Sequence, residues 1–429
     1  MKKIIALILA LVMALGMVAC GQAPESAAPA ATDAAPAATE AAAADENAEP
    51  EAITLKVWGP NEDQATEDSF LQVACAKFAE AHPEYDITWV FEVCGEGDAG
   101  TMVTKDPSVA GDVYMFANDQ LGTLLQANAI ARLGGAALDQ VKADNSETMV
   151  ASVTSGDGVY GVPFTGNTWF MYYDASVYTA EDIKSLDAMM AKKPVAFEVT
   201  NAWYLPAFYF AAGGTMFGET GTDGAAGVTF GGEVGAAATT YIANALAAGT
   251  MIEAGGGAGM DALRNGTVGA VFSGTWDAAN VKDALGDNYA AAQLPCITIN
   301  GEQKQMLSFS GSKAFAVNPN SQHMEAAVAL AAWLGSAEMQ ELHFDLRNGE
   351  VIPCATALLS NEKFAANPAA VAQNDTIANT SFLQPSIPEM GAYWGPGADM
   401  GKALVNGEVT AENAAEMADA WNASLNGGL

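Results

Sequence analysis

Side-chain catalysis needs a positioned acid, base or nucleophile, and the 429 residues of this chain hold few groups arranged for it. There are three histidines: His82, ahead of Pro83 at a predicted helix end, and His323 and His343, spread over a helical region. None has a partner at metal-ligand spacing, and His-Glu-x-x-His, Gly-x-Ser-x-Gly and P-loop motifs are all missing. The glycine-rich "EAGGGAGMDALRNG" does not satisfy Gly-x-Gly-x-x-Gly and is expected to be a flexible loop. Cys75, Cys94, Cys296 and Cys354 are scattered without Cys-x-x-Cys spacing, so they read as small apolar core residues. A Cys75 to Cys94 bridge stays open, because spacing alone does not set a pairing. Nothing in these patterns asks for a metal or a cofactor. A glycosidase pair of carboxylates has no local spacing, so that class also stays open at this point.

The chemistry that does stand out is recognition by flat apolar faces beside short polar side chains. Trp58 ends a predicted strand, Trp169 lies in "TGNTWFMYYD", and Trp203 with Tyr204 opens a helix in "TNAWYLPAF". Trp276 follows a strand in "FSGTWDAAN", and Trp394 lies in "PEMGAYWGPG". Such positions suit a sugar ring, whose C–H faces stack on aromatics while its hydroxyls need carboxylates and amides as partners. The stretch "DVYMFANDQLG" runs apolar to Phe116 and then turns polar at Asn118, Asp119 and Gln120. Asp119 reads as an acceptor for sugar hydroxyls, and equally as an N-cap for the helix that follows.

These residues must be positioned by strands and helices whose signals alternate along the chain. "ITLKVW" alternates as a strand, Phe70, Val73, Ala74, Phe78 and Ala81 recur at helical spacing until Pro83, and "DITWVFEV" puts Ile87, Trp89, Phe91 and Val93 on one strand face. That is a βαβ unit. Further strands are expected at 113–116, 195–199 and 268–272, a helix at 204–212, and more helices in "HMEAAVALAAWLG" and "TAENAAEMADAWNASL". The fold class is α/β, in which ligands bind beyond the carboxyl ends of the strands. Asp119 lies just past such an end.

The chain's length predicts two domains. Its 17 Lys and Arg against 51 Asp and Glu give a formal charge of −34, a field that repels nucleic acid and anionic surfaces. Lys2 and Lys3 ahead of the apolar run from Ile4 to Val18 read as an export signal over residues 1–19. "GMVACGQ" then presents small Ala19 before Cys20, as in a bacterial lipobox, which makes Cys20 a lipidation site. Residues 20–51, rich in Ala, Pro, Thr and acid, read as a tether.

Together "LKVWGPNEDQ", "AGDVYMFANDQLG", "GVYGVPFTGNTWFMYYD", "AWYLPAFYFAAGG", "GAVFSGTWDAANV", "SGSKAFAVNPNS" and "PSIPEMGAYWGPGADMGKALVNGEVT" resemble, in order, the maltose/maltodextrin-binding proteins of ABC importers. The resemblance spans 53–423. It implies a periplasmic-binding-protein-like fold of two lobes, each a sheet flanked by helices, with the ligand in the cleft between them. The chain would cross three times, giving one lobe of 52–165 plus 312–362 and another of 166–311 plus 363–429. By motif it places Trp58, Glu62 and Asp63 where the first lobe meets sugar. Asp119 falls on a hydroxyl-binding aspartate, with Phe116 at a nearby aromatic position. Asn167 stands where many members have glutamate, Trp203 at a stacking aromatic, and Trp276 and Trp394 at two stacking tryptophans. Two departures, Gln120 for a commonly basic residue and Asp63 where some members carry Lys, leave the preferred oligosaccharide open. The implied function is non-catalytic delivery of an α-linked gluco-oligosaccharide to membrane permease subunits by a monomer. It would be anchored through Cys20 on the outer face of the cytoplasmic membrane. The competing classes are a cell-surface glycoside hydrolase and a static glycan-adhesion module. A polyamine ligand fits the charge but leaves the tryptophans unexplained.

Overall fold

The computed structural model describes residues 49–427, so the predicted signal segment, Cys20 and most of the tether lie outside the described residues. The folded chain begins with the strand Glu51–Gly59, in which Ile53, Leu55 and Val57 alternate inward. The helix Phe70–Ala81 buries Phe70, Leu71, Ala74, Cys75 and Phe78 and stops before Pro83, as its spacing predicts. The strand Tyr85–Val93 then pairs in parallel with the first strand, completing the expected βαβ unit. Of the four residues read onto one face of this strand, Ile87, Trp89 and Phe91 pack against the first core, whereas Val93, at the strand's last position, is exposed.

Two sheets organise two lobes. The first orders Ser381–Leu383, Ser308–Val317, Val113–Ala117, Glu51–Gly59 and Tyr85–Val93, with Val162–Thr168 paired antiparallel to the Ser308–Val317 strand. The second orders Tyr289–Ala292, Phe170–Asp174, Ala270–Ser273, Val195–Phe197 and Met251–Glu253. Helices flank both. The expected strands at 113–116, 195–199 and 268–272 are found as Val113–Ala117, Val195–Phe197 and Ala270–Ser273. The helix expected at 204–212 is shorter, Pro206–Ala211, with Pro206 at its first turn. The glycine-rich stretch is not a flexible loop. A short strand, Met251–Glu253, precedes it and the helix Ala258–Arg264 forms inside it. Left-handed Gly256 and Gly257 make the turn between them, a conformation glycine adopts without a steric penalty.

One strand feeds both cores, and the chain leaving another passes from the first to the second. In Ser308–Val317, Phe309 packs in the second lobe's core, whereas Ala314 to Val317 pack in the first. Val162 and Phe164 belong to the first core, and Trp169 just beyond them to the second. The pairing of these two strands shifts register between Lys313 and Ala314, a bulge at the passage from one core to the other. The chain passes again between Met339, in the first core, and Ala369 and Ala372, which pack with Phe170 and Tyr172 of the second sheet in a separate cluster. Cys75, Cys94, Cys296 and Cys354 are all free thiols, so no Cys75 to Cys94 bridge is present; Cys75, Cys94 and Cys354 are buried.

Candidate functional site

The ends of these strands converge on one cavity of about 490 Å³ between the lobes. The first lobe contributes Asp119 and Gln120, from the turn after Val113–Ala117, and Glu96, from the turn after Tyr85–Val93. The second lobe contributes Trp203, Trp276 and Trp394. Asn167, Lys313 and Gln384 enter from the strands that connect the lobes or the residue just after one. Apolar strands drive these segments into the cores, and the polar or aromatic residue at each end is left facing the gap.

The aromatic side is preassembled. Trp203 and Trp276 have ring centroids 5.9 Å apart, tilted by 37°. Trp203 is held by its indole N–H, which donates to Gln384 Oε1 at 2.7 Å. Trp276 is 49 % exposed, which is unusual for so large an apolar ring. It folds back over Gly274, where a Cβ would come within 2.1 Å of the indole, so this glycine is required for the ring's placement.

The opposite wall is charged. Gln120 Nε2 donates to Asp119 Oδ2 at 2.7 Å, and Lys313 Nζ donates to Glu96 Oε1 at 3.1 Å. Burial pushes the Asp119 carboxyl above the ordinary aspartate value, against the opposing effects of the Gln120 bond and Lys313. No cap hydrogen bond is made by Asp119 at either the turn or the helix Leu121–Gln126 that follows. The N-cap reading therefore fails, because the turn carries the chain one residue further before the helix begins.

A second cavity of about 230 Å³ adjoins the first and shares Glu96, Asn167, Trp276 and Lys313 with it. Glu62 lines it from the exposed side. Asp63 also borders it but is 1 % exposed and engaged: His343 Nε2 lies 3.0 Å and Arg347 donates from 2.8 Å. Burial opposes ionisation of Asp63, but the pull and hydrogen bonds of His343 and Arg347 prevail and hold its carboxyl below the ordinary value. His343 is clamped between Phe70 and Phe164, each 4.5 Å away. Through Oδ1, Asp63 thus ties an N-terminal turn to His343 of the helix Ala337–Leu346 and to Arg347 just after it.

Of the remaining expected site residues, the structure does not place Trp58, Phe116 or Trp169 on either cavity. Trp58 and Phe116 lie in the first core, at the ends of strands where consecutive residues are buried. Trp169 is fully buried in the second, stacked on Tyr204 at 4.7 Å. Tyr204 lines a side cavity of about 380 Å³ on the other side of Trp276. Three polar residues of the cavity, Glu96, Lys313 and Gln384, carry no expectation from the sequence. Glu96, an acid between glycines just after a strand in "CGEGDAG", carried a usable signal; Lys313 and Gln384 depend on how the connecting strands cross.

A profile described as bacterial extracellular solute-binding protein matches residues 73–372. The chain belongs to this family. This solute-binding protein is 26 % identical over 329 residues to the maltooligosaccharide ABC transporter solute-binding lipoprotein of Streptococcus pneumoniae, spanning 71 % of this chain and 74 % of that one. It is 24 % identical over 341 residues to the galactooligosaccharide-binding protein of Bacillus subtilis, 75 % and 77 % of the two chains. Among solved structures, a chain solved with acarbose superposes with a TM-score of 0.82 at 44 % identity, covering 88 % of this chain and 99 % of that one. The maltodextrin-binding protein MalE1 of L. casei BL23, solved without ligand, gives 0.79 at 27 % identity over 87 % and 99 %.

Proposed function

We propose that this solute-binding protein takes up a maltodextrin-type α-gluco-oligosaccharide between its lobes and delivers it unchanged to the permease subunits of an ABC transporter. The observation that carries this is the single cavity in which Trp203, Trp276 and Trp394 face Asp119 and Glu96. Stacking planes on one lobe and hydroxyl partners on the other give a sugar its full set of contacts only when the lobes meet around it. The relatives and neighbours named for maltooligosaccharide, maltodextrin and acarbose support the same ligand class. In this reading Glu62, Asp119, Asn167, Trp203, Trp276 and Trp394 touch the ligand. The lobes are 52–165 plus 312–362 and 166–311 plus 363–429. The protein acts as a monomer without cofactor or catalysis, anchored through Cys20 on the outer face of the membrane.

Calorimetry with maltose, maltotriose, maltotetraose, acarbose and a galactooligosaccharide tests this, together with solution scattering. Expected are binding of the maltodextrins without product formation and a smaller radius of gyration at saturation. Hydrolysis of the ligand supports the hydrolase class instead. Binding without contraction supports a static adhesion module, and binding of the galactooligosaccharide alone rejects the α-gluco assignment.

A further inference from the structure

Gln384 follows the strand Ser381–Leu383 and is 3 % exposed, yet it forms part of the cavity wall. Its backbone N–H donates to Ser310 O at 2.9 Å, which fixes it to the strand shared by the two cores. Its side-chain oxygen accepts the Trp203 indole N–H at 2.7 Å. An indole nitrogen can only donate, so the amide has one orientation: Oε1 toward Trp203 and Nε2 away from it. Nε2 is sealed from water and has no acceptor among the described residues. A buried amide nitrogen left this way is unfavourable, and such groups are rare in folded proteins. The carboxylates of Asp119 and Glu96 can only accept, and Lys313 is already engaged by Glu96. A saccharide hydroxyl both donates and accepts, so it can satisfy the carboxylates and the Gln384 amide alike.

We propose that Gln384 is a specificity-determining residue of the cleft, positioning Trp203 through Oε1 and donating through Nε2 to an oxygen of the sugar unit stacked on that ring. This rests on the oligosaccharide reading above and adds to it the residue that reads the ligand's oxygen pattern beside the aromatic platform.

Two variants separate the roles. Gln384→Glu keeps an acceptor for Trp203 and removes the N–H donors; Gln384→Met has a similar length and removes both. Titration with maltotetraose at neutral pH is paired with near-ultraviolet circular dichroism, with Trp203→Phe identifying the contribution of the tryptophan pair. Gln384→Glu is expected to leave that signal intact and to weaken maltotetraose binding about tenfold or more. Gln384→Met is expected to change the signal and to weaken binding at least as much. In a series of monodeoxy maltotetraoses, one position should lose affinity for the native protein and lose little for Gln384→Glu, the mark of a direct contact. Native-like affinity of Gln384→Glu overturns the proposal, and so does a deoxy series with no coupled position. A native protein that binds none of the maltodextrins overturns the ligand reading itself, which the native titration shows before either variant is measured.

Discussion

Replacing Asp119 with alanine separates recognition from folding in a single variant. Its Oδ2 already accepts from Gln120 Nε2 at 2.7 Å, which leaves Oδ1 with room for one or two hydroxyl donors. Each such charge-assisted bond is worth about 1.5 to 3 kcal/mol, so losing one weakens maltotriose binding by about 10- to 150-fold. The stability effect has the opposite sign from that of a helix cap. A cap would cost about 1 kcal/mol when removed, but Asp119 makes no cap bond. Its folded pKa is raised by burial, so the folded state favours the protonated carboxyl, and at neutral pH the charged form is a burden that the alanine removes. The melting temperature should hold or rise while affinity collapses. In the native protein, affinity should fall with decreasing pH, starting above the ordinary aspartate value of 3.8, as the acceptor becomes protonated. Calorimetric titration and thermal denaturation on the same samples decide the matter. Native affinity together with a lowered melting temperature would refute the reasoning, because it would make the carboxylate a structural group.

Trp276→Ala should weaken every ring-shaped ligand in the panel while barely moving the melting temperature, because the indole is half exposed; an effect confined to one sugar would argue against stacking. Asp63→Asn should destabilise the fold by about 3 to 5 kcal/mol by leaving Arg347 and His343 facing a neutral amide, read as a fall in denaturant midpoint with unchanged slope. Because the folded Asp63 pKa is depressed, its stabilisation is present above about 3.8 and lost as pH falls below it, so the variant should lack that part of the native acid transition. Cys20→Ala should move the protein from membrane to soluble fractions on cell fractionation; unchanged membrane association would refute anchoring at this residue.

Element identity was legible where one pattern dominated. Ile53, Leu55 and Val57 alternate cleanly, and Phe70 to Phe78 repeat at helical spacing up to a proline. The "EAGGGAG" stretch was misread because three glycines hid a strand only three residues long and a helix of seven. Within the site, Asp119, Trp203, Trp276 and Trp394 were legible as large or acidic residues beside turn formers. Trp58, Phe116 and Trp169 carry the same local signature, but which face of a sheet is covered is a tertiary property. The ion pairing of Asp63 was not legible, because the residues that engage it, His343 and Arg347, lie far along the chain.

The strand Ser308–Val317 is a structural centre that is synthesised late. Its partner Val113–Ala117 leaves the ribosome roughly 200 residues earlier and keeps an unpaired edge until then, and such long-range pairing slows folding. Neither lobe is a contiguous segment that could mature alone, so the chain acquires its cooperative fold only near completion. Under the proposed function that delay would be useful: the topology that would let the two halves close on a ligand would also keep the nascent chain open while it crosses a membrane.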